Sequence, residues 1–272
     1  MPTKEPSANV DPRQHRQVAE SFGIDAERYD RARPRYPDGL VRHLVAGRPD
    51  LDVLDVGCGT GIATRQFRAA GCRVRGVEPD ARMADVARKF GAEVDVATFE
   101  DWDPAGRTFD AVVAGTAWHW IDPVAGAGQA ARVLRPGGLL APFWNVFRFP
   151  SDVAEAIAEV CRRVLPDAPF DLTVMTKGGL DAYRPVLVRT TDGIRQQGGF
   201  GVPEEWRHDW EHTYTRDAWL DQMPTLGAFT RLPQDKLGQV LAGVGAALDA
   251  RGGGFTMGYT TVAVVATRSD AA

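Results

Sequence analysis

Cysteine is scarce in this chain of 272 residues: Cys58, Cys72 and Cys161 are the only three, and no two form a CxxC pair. That excludes a disulfide scaffold and fits a reducing cytoplasm. Long apolar stretches are also missing. The longest run without a charged residue, Gly252 to Thr267, has 16 residues, several of them Gly and Thr. A membrane helix needs roughly 18 or more, so this run reads as a buried strand. The opening MPTKEPSANVDPRQ lacks the apolar core of a signal peptide. Positive charge is not in excess either. The chain has 32 basic against 36 acidic residues and a net charge of −4, which excludes a global field for wrapping nucleic acid. No G-x-x-x-x-G-K-[ST] segment is present, so a nucleoside triphosphate loop is excluded.

What is present is ordinary globular material, 44% hydrophobic and 25% charged. At roughly 150 residues per domain, the length suits one enlarged domain or a domain with a sub-domain. Apolar strands and helical patterns alternate from Leu51. LDVLDVG runs into glycines, TGIATRQFRAAG is a helix closed by Gly71, and RVRGVEPD is a second strand. DARMADVARKFG, AEVDVAT, FDAVVAG, DPVAGAGQAARVL and LLAPFWNV continue the series, with RPGG stopping the last helix. Such alternation predicts an α/β fold, a doubly wound and mostly parallel sheet with helices on both faces. It ceases after Asn145. SDVAEAIAEVCRRVL reads as a helix, and residues 166–203 have poor periodicity. RHDWEHTYT reads as a strand, RDAWLDQM and LPQDKLGQVLAGVGAALDA as helices, and GYTTVAVVATR as the last strand. The expected organisation is a mobile arm over residues 1–37, a core over 38–145, an inserted lid with one sheet strand over 146–250, and a completing strand over 251–272.

The segment Leu54 to Gly61, LDVGCGTG, leaves a buried strand and opens a helix, which is where doubly wound sheets hold ligands. Its spacing is G-x-G-x-G. A dinucleotide fingerprint requires the third glycine one place later, where this chain has Ile62. Glu78, in VRGVEPD, ends the second strand, where a carboxylate can accept both hydroxyls of a ribose.

LDVGCGTG, the acidic residue after the second strand and LRPGG before the fifth together resemble the class I S-adenosylmethionine-dependent methyltransferases. SFGIDAERYDRARPRYP and GTAWHWID resemble a small-molecule subset related to the trans-aconitate and ubiquinone-type enzymes. The likeness extends over residues 20–145 and weakly to the end. It implies a Rossmann-like fold and S-adenosylmethionine as cofactor. Gly57, Gly59 and Gly61 would line the methionine part, with Asp55 supporting the loop or the amino group. Glu78 would hold the ribose, Pro79 and Met83 would lie near the adenine, and Thr98 and Phe99 would cap it. Thr116 would sit beside the sulfonium, and Tyr29 and Arg33 match positions from which the N-terminal segment closes over the cofactor.

His119 is the sharpest catalytic candidate, a neutral imidazole placed to take a proton from the acceptor as methyl arrives. The alternative is a histidine that orients a water or packs on the cofactor. Trp118, Trp120 and Trp144 follow strand ends and are expected around the substrate pocket, where aromatic faces favour a sulfonium cation; core packing is the competing reading. No metal site is expected: His208 and His212 share a strand face without the acids between them. The expected partner is a small organic molecule, with oxygen the favoured methyl-accepting atom and neither nucleic acid nor membrane involved; no Asn/Asp-Pro-Pro-Tyr motif is found. The rival readings are a cofactor-binding enzyme of cyclase or lyase type, a regulatory metabolite-binding protein, and an NAD-dependent oxidoreductase, the last disfavoured by Ile62.

Overall fold

Residues 12–166 and 179–269 are described by a computed structural model. Residues 1–11 of the expected arm and residues 167–178 of the aperiodic stretch lie outside them. Seven strands form one sheet: β1 (Asp52–Val56), β2 (Arg73–Val77), β3 (Glu93–Asp95), β4 (Phe109–Gly115), β5 (Leu134–Arg148), β6 (Glu204–Thr215) and β7 (Gly254–Thr267). Their spatial order is β3-β2-β1-β4-β5-β7-β6. The first five run parallel, and β7 lies antiparallel between β5 and β6. The chain reverses its winding between β1 and β4, so the crevice above the carboxyl ends of those two strands is the ligand position of this architecture.

The strands read as continuous apolar runs because both faces are covered. Val53, Leu54 and Val56 of β1 and Val112 and Val113 of β4 are buried. One face carries a core built around Leu54, Val112, Trp118, Leu140 and Trp144; the other packs Leu40, Val41, Leu44 and Phe67 against Val113 and Phe143. Each such aliphatic side chain contributes about 1.5–3 kcal/mol on burial.

The helices are α1 (Pro12–Ser21), α2 (Ala26–Ala32), α3 (Asp38–Val45), α4 (Ile62–Ala69), α5 (Ala81–Lys89), α6 (Pro123–Val133), α7 (Ser151–Val164), α8 (Leu180–Gln197), α9 (Arg216–Gln222) and α10 (Gln234–Asp249). In α3, Leu40, Val41, Leu44 and Val45 are all buried, the face expected from their spacing. RPGG belongs to a bulged start of β5, where the register against β4 shifts. There Arg135 pairs with Asp110 and Asp52, both at 2.7 Å. The strand expected over AEVDVAT shrinks to three residues.

Helix α8 arises within the stretch of poor periodicity. Pro185 interrupts its pattern, and only Leu187, Thr190, Gly193 and Ile194 are buried. Tertiary packing holds it: a Cβ on Gly193 would come within 2.4 Å of Pro123 at the start of α6. The segment after Asn145 also has a core of its own. Val153, Ile157 and Cys161 from α7 meet Trp219, Met223, Phe229, Val240 and Val244 there. Residues 12–32 are helical, and ion pairs dock this segment on the rest of the fold. Arg28 and Arg31 pair with Asp221 on α9, Asp30 with Arg65 on α4, and Glu27 with Lys89 on α5.

Candidate functional site

Strand β1 brings a buried chain to Gly57, and three glycines then take left-handed conformations, with φ of 62°, 55° and 84° at positions 57, 59 and 61. Non-glycine residues adopt such angles rarely. Position 57 has no room for a side chain either, since a Cβ there would lie 2.5 Å from the Cβ of Ala117. The amides of Gly57 and Cys58 donate to the Val77 carbonyl at 2.8 and 3.2 Å, which ties the loop to the end of β2.

Two carboxylates flank this loop. Glu78 is buried; one of its oxygens accepts from the Gly59 amide and the other from the Asp80 amide, each at 2.9 Å. Asp55 is fully buried, with Oδ2 accepting from the Thr64 hydroxyl at 2.6 Å while Oδ1 has no partner. Among the described residues neither carboxylate pairs with Lys or Arg within 4.0 Å. Burial pushes both up, to about 7, against the pull of these hydrogen bonds. The nearby hydroxyl of Thr60 is also buried and unpartnered. Cys58, in the same loop, is held protonated because burial and then the charges of Asp55 and Glu78 raise its thiol; proximity to a helix start does not activate it.

A cleft of about 70 Å³, partly open to solvent, adjoins the loop. The N-terminal segment lines it with Tyr29, Arg33, Pro34 and Tyr36, and the core sheet with Thr116 and Asn145. Tyr183, Trp219, Gln222 and Tyr259 close the far side. Tyr36 is held firmly: Gln66 of α4 donates to its carbonyl at 2.7 Å and accepts from its amide at 3.0 Å. Its hydroxyl lies 3.1 Å from that of Thr116. Thr116 itself has φ of 55°, a strained angle for a β-branched residue, directly after β4.

The expected site residues therefore fall into several groups. Asp55, the three glycines and Glu78 gather at the loop, while Tyr29, Arg33 and Thr116 meet in the cleft. Met83 is buried with Ala26 and Val86, and Tyr29 and Phe22 pack on that cluster; Phe22 also meets the ring of Trp120 at 6.0 Å. Pro79 is exposed, and the Thr98 hydroxyl donates to Asp101 at 2.8 Å. Phe99, Trp118 and Trp144 belong to the apolar core. Trp118 and Trp144 are each about 1% exposed or less, and neither lines the cleft.

His119 is bound to that core. The indole N–H of Trp144 donates to its Nδ1 at 3.1 Å. The tautomer assigned from this bond carries its proton on Nε2. In that state the outer nitrogen is a donor, and a general base would need the opposite tautomer. Tyr36, Asn145, Tyr183, Gln222 and Tyr259 were not legible as site residues; only Tyr36 had a signal, as part of the RPRYP run. Among the described residues no three His, Cys, Asp or Glu side chains gather to hold a metal, and no helix is long and apolar enough to cross a membrane.

A sheet in this order, with a glycine loop at its crossover and a buried acid ending the next strand, defines a Rossmann-like domain built for a nucleoside-bearing cofactor. Residues 54–141 match the family model described as a methyltransferase domain. An uncharacterized methyltransferase of Mycobacterium tuberculosis is 37% identical over 132 residues, covering 48% of this chain and 54% of the relative. The chain thus spans about half the length of the curated relatives it matches first. A malonyl-[acyl-carrier protein] O-methyltransferase of Enterobacter lignolyticus is 32% identical over 173 residues, 61% of this chain and 66% of that one. A solved structure of a candidate type II methyltransferase from Anaeromyxobacter dehalogenans superposes with a TM-score of 0.60 at 25% identity, covering 86% of this chain and 97% of the other. The chain carries a class I S-adenosylmethionine-dependent methyltransferase domain.

Proposed function

We propose that the protein transfers a methyl group from S-adenosylmethionine to a small organic acceptor, with oxygen the favoured receiving atom. The observation that carries this reading is the pair of buried carboxylates at the glycine loop, neither matched by a cation. A cofactor with an ammonium, a sulfonium and ribose hydroxyls supplies positive charge and donors to both. A dinucleotide would instead bring pyrophosphate charge against two carboxylates, at a cost in the low-dielectric interior. The O-methyltransferase name of the Enterobacter relative supports oxygen. Three free, buried cysteines support a reducing compartment.

When bound, the cofactor supplies an electrophilic methyl on a sulfonium, and an acceptor lone pair forms the new bond as the carbon–sulfur bond breaks. The chain's part is alignment and exclusion of water. Glu78 would hold the ribose, and the glycine loop would line the methionine part. Thr116 and Tyr36 form the wall between loop and cleft, and the docked N-terminal segment covers it. Tyr36 is raised by burial above the usual tyrosine range, so its hydroxyl stays protonated.

Calorimetric titration with S-adenosylmethionine, and separately with NAD, tests the reading. Micromolar binding of the first alone is expected; binding of NAD, or of neither, overturns it. Release of S-adenosylhomocysteine with an acceptor present separates turnover from mere cofactor binding. The state of His119 gives a further prediction. His119→Gln keeps an N–H near the Nε2 position and should retain turnover within about fivefold, whereas loss of a general base costs roughly 10²–10⁴-fold. A loss in that range, with cofactor affinity unchanged, would restore the base role.

A further inference from the structure

Two buried polar atoms on the far wall of the cleft have no partner among the described residues. Trp219 and Gln222 both line the cleft, at 1% and 3% exposure, and neither the indole N–H of the first nor the side-chain carbonyl oxygen of the second makes a hydrogen bond. They stand three residues apart on α9, so they share one face of that helix. Neighbours fix their orientations. The Trp219 ring makes T-shaped contacts with Phe149, Tyr214 and Phe255, at centroid distances of 5.2, 5.3 and 5.5 Å. The Gln222 side chain faces the hydroxyls of Tyr214 and Tyr259, which lie 2.7 Å apart, and opposes the rise that burial imposes on both. That effect is a donor's, so the amide nitrogen turns to the tyrosines and the carbonyl oxygen away from them. A donor and an acceptor buried in this way have given up water without a bond in return, and a ligand that answers both removes the cost.

Resting on the methyltransferase reading above, we infer that this pair reads a neutral amide or lactam group on the methyl acceptor: the Trp219 indole donates to its carbonyl oxygen, and the Gln222 oxygen accepts from its N–H. The amide is a handle, separate from the atom that receives the methyl group. The walls suit a neutral group. Arg33, expected with the cofactor, is the only charged residue lining the cleft among the described residues. A carboxylate or phosphate has no N–H for Gln222 and would set its charge against that oxygen. A hydroxyl would have to bring one oxygen to two side chains a helical turn apart, whereas an amide carries its donor and its acceptor on separate atoms. A site with a buried acceptor rejects the analogue that lacks the N–H, because the acceptor then stays unpaired. Trp219 and Gln222 are therefore specificity-determining residues, not catalytic ones.

The test is calorimetry of the full chain, with and without S-adenosylhomocysteine. Benzamide and caprolactam are the amide probes, methyl benzoate and caprolactone their counterparts without N–H, and phenol and benzoate the rival chemistries. At least one amide should bind at least tenfold more tightly than its ester and than phenol or benzoate. In Gln222→Leu that preference should fall to threefold or less. In Trp219→Phe, which keeps an aromatic ring in place, amide and ester should both weaken by at least threefold while the preference between them persists, since both offer a carbonyl and only one an N–H. A merely structural role would weaken all probes alike in both variants. Both variants should bind S-adenosylhomocysteine within threefold of the parent and melt within a few degrees of it. Equal binding of amide and ester, binding of no probe, tighter binding of phenol or benzoate than of either amide, or an N–H preference that survives in Gln222→Leu overturns the inference. So does a tenfold loss of S-adenosylhomocysteine affinity in either variant, which would assign the pair to the cofactor. Should Gln222→Leu fail to fold, the parent's preference and the Trp219→Phe pattern decide alone. Failure of the parent protein to bind S-adenosylhomocysteine would strike the methyltransferase reading instead, and the amide preference measured without it would still stand or fall alone.

Discussion

Glu78→Ala should weaken S-adenosylhomocysteine binding by at least 100-fold. The side chain has two duties at one place. Its oxygens accept from the amides of Gly59 and Asp80, which holds the glycine loop against the end of β2, and its position suits it to receive ribose hydroxyls. A hydrogen bond to a charged group is worth about 1.5–3 kcal/mol, so losing two ribose contacts costs about 3 kcal/mol or more, which is roughly 150-fold in affinity. Removing the carboxylate also leaves the amide of Gly59 without its acceptor, in a loop that must keep three left-handed angles. Glu78→Gln, which retains one acceptor oxygen, should fall between the parent and the alanine variant. Calorimetry on all three decides the matter: an alanine variant within threefold of the parent would remove Glu78 from the site.

The loop was readable from sequence because its constraints are local. Three glycines after an apolar strand state their own backbone angles, and a helix pattern follows at once. The five parallel strands were readable for the same reason, since each is a short apolar run closed by turn residues. The placement of β7 between β5 and β6 was not, because strand order past the core depends on pairing with β5, whose partners lie more than 100 residues away. The tryptophans show a subtler limit. Trp144 ends up in the core because both faces of this sheet are covered, so alternation along the strand cannot tell an inward side chain from one at the rim. The cleft was the least legible part. Tyr36, Tyr183, Trp219 and Tyr259 come from four distant segments, and only folding brings them around Arg33. Helix α8, which supplies Tyr183, carries a proline and is held by its fit against α6, information absent from its own periodicity.

Asp55→Asn should make the protein more stable and bind the cofactor less well. In the fold the carboxylate is raised to about 7 by burial, whereas in the unfolded chain it titrates near 3.9. The folded state therefore binds more protons than the unfolded state between about pH 4 and pH 7. Stability falls as pH rises through that window and is level above it, because a buried charge with one unpartnered oxygen must then be carried. Glu78, raised to about 7 and sharing the same region, acts in the same direction. Asparagine removes the charge and keeps the shape, so the variant should gain about 2–4 kcal/mol at pH 8 and almost nothing at pH 4. In a chain of this size that is about 5–10 °C in melting temperature. Affinity for S-adenosylmethionine should fall at least tenfold, since the anion costly to the empty fold is the one that meets the cofactor's positive charge. Thermal melts of the two proteins at pH 4 and pH 8, without and then with S-adenosylmethionine, separate the effects. A variant no more stable than the parent at pH 8 would mean that Asp55 is solvated or paired in solution, and the electrostatic case for a cationic cofactor would lose its main support.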